Sequence, residues 1–423
     1  MAKPLNKLLK NVVRKLIKAP LRKLPIVLEH AWFVSPKKTK FAVWYKDEIL
    51  EDKDAPSTCV ATCDKKYNPL DWIQISKVKF SGVCVLSNGM LLMCRPLKVH
   101  QRHPESRKAI VCTRNYRPLK YPGAQSLLFS LTFIRRNLAY WLKTEEHRSL
   151  SGNIALLGNS VFDNANYYHF WTDVIADIWY IRQHLPEAEL PDYYLVPLSN
   201  AAWQWDVLSM CGVHESQVIP YARHEVVSLD KLTIPIRDKG AVNLPSWLCR
   251  AMHDMSGWSP KPQRGERLIF VSRADADRRR VVNERVIREH LSDRGFEVHT
   301  LNGLSVTKQQ QLFASAAIIC APHGAALTNL VWCSSGTVII DLLSERHLIP
   351  CFRDLAAQNQ LFYYPFACQQ VEGVTSGIKG DIVVSDAQVD SVLDIIDQHV
   401  PRCGDRISAQ IEKTLSDKST PIS

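Results

Sequence analysis

Apolar positions between residues 267 and 341 fall into three short runs, 268–272, 317–321 and 337–340, separated by segments with amphipathic-helix spacing. That alternation predicts strand–helix units in a doubly wound α/β layer with a parallel sheet. Ligands in such layers bind outside the carboxyl ends of the strands. The sequence places Ser272 and Arg273 at the first end, Pro322, His323 and Gly324 at the second, and Asp341 at the third. Cations, a backbone bared by glycine and one carboxylate suit a nucleotide diphosphate: the cations meet the phosphates and the carboxylate the ribose hydroxyls.

Upstream, short β-rich runs occupy 41–45, 72–80, 82–86 and 90–94, and Ser87-Asn88-Gly89 predicts a hairpin turn between the last two. A buried strand over 153–157 leads into a helix predicted over 166–183. In that helix Phe170, Val174, Ile178 and Ile181 form one apolar stripe, and Tyr167, Trp171 and Ile175 a second. Asn166, His169, Asp173 and Asp177 share the face between them. A polar face on such a helix either meets solvent or lines a cleft, and the pattern alone favours solvent. Further strands and helices are expected at Tyr193–Val196, 201–211 and 218–219, then at Cys351–Gln358, 361–364 and Asp386–His399. The stretch 257–266, rich in Pro, Gly and charge, reads as a linker. The expected organisation is therefore a helix over 1–24, an N-terminal domain over 25–256 and the linker, then a second domain over 267–385 with a helix and tail over 386–423.

Charge changes the picture at one end. Of the net +11, eight charges lie in residues 1–28, which contain no Asp or Glu. The basicity belongs to a tail, so a nucleic-acid footprint over the body is not expected. Within 1–24, Leu5, Leu8, Leu9, Val12, Val13, Leu16 and Ile17 repeat every three to four positions opposite Lys and Arg. A basic amphipathic helix of this kind is expected to lie in an anionic membrane interface. No apolar run is long enough to span a bilayer. The twelve cysteines include Cys84, Cys94 and Cys320 inside apolar runs, where reduced thiols are expected, in keeping with a cytoplasmic setting. Cys59 and Cys63 lack a second pair at zinc-finger spacing.

The sequence lacks G-x-G-x-x-G, a P-loop, G-x-S-x-G and H-E-x-x-H. Asp275-Ala276-Asp277 has the D-x-D form of a metal site, as does Asp52-Lys53-Asp54. Arg273 and Arg278–Arg280 surround the first pair with positive charge that opposes a divalent cation, so no metal and no other cofactor is expected. Arg279 and Arg280 fall at the start of a helix predicted over 280–293, where cations oppose the macrodipole unless an anion sits there. A pairing of Arg280 with Glu284 is the alternative. A second helix start, after Gly324, supplies N–H donors for an anion.

Three motifs occur in order: Asn166-Tyr167-Tyr168-His169; Ser272-Arg273 followed by Arg279-Arg280-x-x-Asn283-Glu284; and Pro322-His323-Gly324-Ala325-x-Leu327-Thr328-Asn329. Over about residues 150–365 the chain resembles glycosyltransferase family 61, also catalogued as domain of unknown function 563. The resemblance implies a GT-B-like α/β fold, two Rossmann-like domains facing a cleft, here with a β-rich N-terminal extension that the family does not account for. It implies inverting transfer from a nucleotide-sugar donor to a saccharide or glycolipid acceptor. Donor binding falls to Ser272, Arg273, Arg279, Arg280, Asn283, His323, Gly324, Ala325, Asn329 and Asp341, the last standing where the family more often has Glu. His169, near a helix start that favours its neutral form, is the candidate base, and Asp173 one turn on would orient it. Capsule or lipopolysaccharide synthesis at the inner membrane face is the expected setting. A nucleotide-sugar epimerase or hydrolase, or a non-catalytic assembly partner, are the alternatives.

Overall fold

The structure, a computed structural model, describes residues 42–46, 81–93, 109–113, 119, 147–158, 166–199, 201–220, 226–237, 244–374 and 376–400. The expected helix over 1–24, the strand at 72–80, the Cys59–Cys63 pair, Asp52-Lys53-Asp54 and Cys94 lie outside these residues. The chain is α/β, with two mixed sheets in two compact units. It passes from the first unit to the second between Ser259 and Pro260, and residues Ile349–Gln358 return to the first.

In the first unit, strands β1 (Ala42–Lys46), β2 (Gly82–Met93), β3 (Ala109–Cys112), β4 (His147–Leu156), β5 (Tyr193–Val196), β6 (Val218–Pro220) and β7 (Val226–Ile236) make one sheet. Its order is β1-β2-β7-β4-β5-β6, with β3 also on β2. Strands β7, β4, β5 and β6 run parallel, whereas β2 is antiparallel to β1, β3 and β7. The expected hairpin at Ser87-Asn88-Gly89 is absent: β2 runs straight through it and stays in register with β7 on both sides. Asn88 adopts a left-handed backbone (φ 52°), and a Cβ on Gly89 would come within 2.9 Å of Leu232 Cβ. The Asn-Gly pair thus sits inside a strand and clears room for its neighbour, without reversing the chain.

The crossover from β4 to β5 is helix α1, built from α-helical Tyr167–His169, π-helical Phe170–Ile175 and α-helical Ala176–His184. The Asn166 side chain caps its start by accepting from Tyr168 N at 2.9 Å. Helix α2 (Ala202–Met210) crosses from β5 to β6. Helix α3 (Leu248–Ser256) closes the unit and ends at Gly257, which takes the left-handed cap (φ 65°).

In the second unit, β8 (Arg267–Val271), β9 (Glu297–His299), β10 (Ala316–Pro322), β11 (Val338–Ser344), β12 (Phe362–Gln370) and β13 (Ile382–Val383) lie in the order β13-β12-β11-β10-β8-β9. All neighbours are parallel except β12 and β13. Every residue of β10 and β11 is buried, as expected of central parallel strands covered on both faces. Helices α4 (Glu284–Ser292) and α5 (Val306–Ala314), and a 3₁₀ helix over Ala325–Trp332, make the crossovers. Helix α6 (Cys351–Gln358) follows β11 but belongs to the first unit, where Gln358 and Leu355 bond to Pro245 and Cys249. Helix α7 (Asp386–His399) packs Val389, Val392, Ile395 and Ile396 into the second unit's core and is no appendage to it. The continuous domain expected over 267–385 is thus interrupted by one helix and completed by another.

Candidate active site

Each sheet reverses its winding direction once. In the second unit β8 continues to β9 on one side and to β10, β11 and β12 on the other, so the reversal lies between β8 and β10. In open α/β sheets that reversal leaves a crevice at the strands' carboxyl ends, the general position for a ligand. Here the two ends carry Arg273 and His323 with Gly324.

Arg273 is largely buried, and its guanidinium lies over Gly324 so closely that any Cβ there would overlap Nη1. The glycine therefore makes room for an arginine. Arg273 Nη2 donates to Arg278 O at 3.2 Å, whereas its buried Nε has no hydrogen-bond partner. Burial, then Arg278, lowers the Arg273 pKa, and Asp275 and Asp381 act the other way. A buried cation with an unused donor is costly on its own and favours an anion. Thr328, in the 3₁₀ helix after Gly324, is also buried with an unpartnered Oγ1.

His323 Nδ1 bonds Asp341 Oδ2 at 2.9 Å, and Tyr363 Oη donates to the same oxygen at 2.6 Å. Asp341 is fully buried in mid-strand, paired in register with Ala321 and Pro365. It stands behind His323 instead of at a strand end, so its carboxylate orients the imidazole and is not presented to a ribose. A carboxylate only accepts, so His323 Nδ1 carries the proton and Nε2 is left as the acceptor.

Several expected donor residues are engaged elsewhere. Ser272 Oγ donates to Glu284 Oε1 at 2.7 Å and accepts from Ala274 N at 3.1 Å, forming the turn after β8. Asn283 clamps the residue after β13, donating to Val384 O at 2.7 Å and accepting from Val384 N at 3.1 Å. Asn329 donates to Gln309 and Ala326 and accepts from Trp332, all at 3.0 Å in the core. These three hold the site's walls. Arg279 and Arg280 are not at a helix start, since α4 begins at Glu284. Arg279 has a left-handed backbone (φ 56°), uncommon for a non-glycine residue, which ends any helical continuation. Exposed Arg280 forks onto the carboxylate of Asp381 at 2.9 and 3.1 Å, not onto Glu284. Ala325, partly exposed, opens the 3₁₀ helix. Asp275 and Asp277 are exposed, and no cluster of three His, Cys, Asp or Glu suited to a metal occurs among the described residues.

In the first unit the winding reverses between β4 and β7. That position is filled. Arg237, just past β7, donates through Nε to Asp177 Oδ1 at 2.9 Å, and Gly158, just past β4, donates its N–H to Asp177 Oδ2 at 3.0 Å. Arg237 Nη2 also donates to Thr172 O at 2.8 Å and Asp173 O at 3.3 Å, both in the π-helical segment. The polar face of α1, expected to meet solvent, therefore points inward at Asp173 and Asp177, both fully buried. Arg237 was not anticipated; a cation directly after a strand was the available signal.

His169 stands at the other end of this network with a partly exposed side chain (21%). Its Nδ1 bonds Asp173 Oδ2 at 2.9 Å, the contact that their four-residue spacing predicts. The acceptor character of Asp173 puts the proton on Nδ1 and a lone pair on Nε2. Tyr168 packs edge-on against His169 and against Phe352 of α6, and burial, then Cys351 and Asp173, pushes its hydroxyl well above its ordinary value. The phenol therefore stays protonated beside the dyad.

The family model described as Glycosyltransferase 61 matches residues 167–340, from the first turn of α1 into β11. Over this segment the chain is similar to the glycosyltransferase 61 family. The segment contains His169, Asp173, Arg237, Arg273 and His323 and stops one residue before Asp341. The similarity points to glycosyltransferase activity in general, with a sugar donor and an acceptor as substrates. No curated protein matches the chain. Among the described residues, no helix is long and apolar enough to cross a membrane.

Proposed function

We propose that the protein is an inverting glycosyltransferase that uses a nucleotide-sugar donor and a saccharide or glycolipid acceptor in cell-surface polysaccharide synthesis, such as capsule or lipopolysaccharide. The observation that carries this reading is the β8–β10 reversal point, where Arg273 keeps a buried unpartnered donor beside Gly324 and His323. The two units divide the labour in GT-B fashion, with donor binding in the second and acceptor activation in the first.

In the reaction, His169 Nε2 takes the acceptor hydroxyl proton while the acceptor oxygen bonds to the anomeric carbon. The bond from that carbon to the diphosphate breaks, and its electron pair leaves with the nucleoside diphosphate. Attack opposite the leaving group inverts the centre. Asp173 keeps the proton on Nδ1 and steadies the imidazolium that forms. Arg273, Arg279, His323 and the N–H groups after Gly324 meet the charge developing on the diphosphate, the role a metal would otherwise fill. Activity is therefore expected to survive excess chelator. Residues 1–24 would hold the enzyme on the cytoplasmic face of an anionic membrane.

Incubation with a panel of nucleotide sugars, with and without saccharide acceptors, tests this reading. Nucleoside diphosphate should be released only when an acceptor is present. A changed sugar, hydrolysis without acceptor, or no turnover with any pair would contradict it.

A further inference from the structure

We infer that His347 is a donor-binding residue whose imidazole takes up a proton when a diphosphate settles beside Arg278 and Arg279. The inference rests on the donor site proposed for the second unit, and lies outside the segment matched by the family.

His347 sits three residues beyond β11, in a turn closed by His347 N donating to Ser344 O at 2.8 Å. Its ring meets that of His323 edge-on, with centroids 6.0 Å apart. His323 is almost wholly buried, whereas His347 is only partly covered, so of the two imidazoles His347 is the more accessible to a ligand. The charged groups acting on it are His323 from the end of β10 and Arg278 and Arg279 from the loop after β8. Within its own turn, Glu345 accepts from Gln370 N and Arg346 extends into solvent. Asp341 lies behind His323 and is shared with Tyr363. The carboxylates of Asp275 and Asp381 act on Arg273, and Asp381 is held by Arg280.

Three cationic or potentially cationic side chains thus converge on a partly exposed imidazole at the carboxyl edge of the sheet. Burial, then His323, Arg279 and Arg278, pushes its pKa down to about 4, so at neutral pH it is uncharged. A diphosphate placed among these groups reverses the local field and favours the imidazolium, by the same Coulomb interaction that disfavours it in the protein alone. Binding then carries one proton from solvent to His347. Because the pKa rises on binding, affinity should strengthen as pH falls towards the free-protein value. If the bound group regains its ordinary pKa, the gain between pH 8 and pH 5 is on the order of tenfold or more.

The probe is P1,P2-dimethyl diphosphate, a diester whose own charge is constant over this range. In protein carrying ¹³C-labelled histidine, the His347 ring signal, assigned by its loss in His347→Gln, is titrated with and without the probe. The expected result is a midpoint moving up by about two units towards the ordinary histidine value. The pH dependence of probe affinity should also flatten in His347→Gln, whose thermal unfolding should match the wild type's. Probe binding that perturbs the Gly324 amide while the His347 midpoint stays put overturns this inference alone. A probe that perturbs neither overturns the donor-site reading as well.

Discussion

At the scale of single residues, two histidine–aspartate pairs organise the chemistry, and they differ in how openly the sequence announces them. His169 and Asp173 lie four apart on one helix, so ordinary helical counting brings them together. His323 and Asp341 are eighteen residues apart on adjacent strands, and only the register Ala321↔Asp341 brings them into contact. Position along the chain made Asp341 look like an exposed strand end, and what cannot be read there is that β11 continues to Ser344. Tyr363, from the next strand over, completes the arrangement. Tyr363→Phe should remove a hydrogen bond to a buried carboxylate whose Oδ1 already has no partner. The expected cost is about 1.5–3 kcal/mol, read from the shift in urea midpoint at unchanged m-value. A stability equal to wild type would show that Tyr363 does not hold Asp341.

At the scale of elements, the motifs were legible as chemistry-bearing segments but their local geometry was not. Arg279 and Arg280 look like the head of a helix because the apolar spacing of α4 can be extended back to them. The left-handed turn at Arg279 and the fork of Arg280 onto Asp381, 101 residues away, stop that extension, and neither leaves a trace in local periodicity. Helix α1 shows the same limit. Its polar face reads as solvated because the partner that permits its burial, Arg237, lies sixty residues downstream of Asp177. The π-helical segment Phe170–Ile175 is of a kind often found at functional sites, and Arg237 holds its Thr172 and Asp173 carbonyls. Arg237→Met should leave Asp177 charged and buried without its cation, at a cost of about 3–5 kcal/mol in denaturant unfolding. Adding Asp177→Leu should recover much of that loss, since removing both charges avoids the orphaned carboxylate. If the double variant is no more stable than the single one, the pair is not what closes the β4–β7 position.

At the scale of the whole molecule, strand–helix alternation made the α/β class legible, and apolar runs located β8, β10 and β11 to within a few residues. The order of the sheet was not legible, because pairing depends on contacts between strands far apart in sequence. Nor was the return of Ile349–Gln358 to the first unit, which puts Phe352 against Tyr168 and so behind the His169 dyad. The concentration of eight positive charges in residues 1–28 leads to a prediction for the intact chain. Full-length protein should float with anionic liposomes at low salt and less so at high salt, and a chain lacking residues 1–24 should not float. Equal flotation of both forms would remove the proposed membrane attachment without touching the catalytic assignment.

That assignment, with the base in the first unit and the donor site in the second, is tested most directly by His169→Ala, using the donor and acceptor that the nucleotide-sugar panel identifies. Donor affinity and single-turnover transfer are measured on the same variant, with Arg273→Ala as the reference for a donor-site lesion. The account predicts that His169→Ala binds donor as the wild type does and loses transfer by roughly 10²-fold or more, the usual worth of a positioned base. Loss of donor affinity comparable to that of Arg273→Ala, or transfer at the wild-type rate, would contradict it.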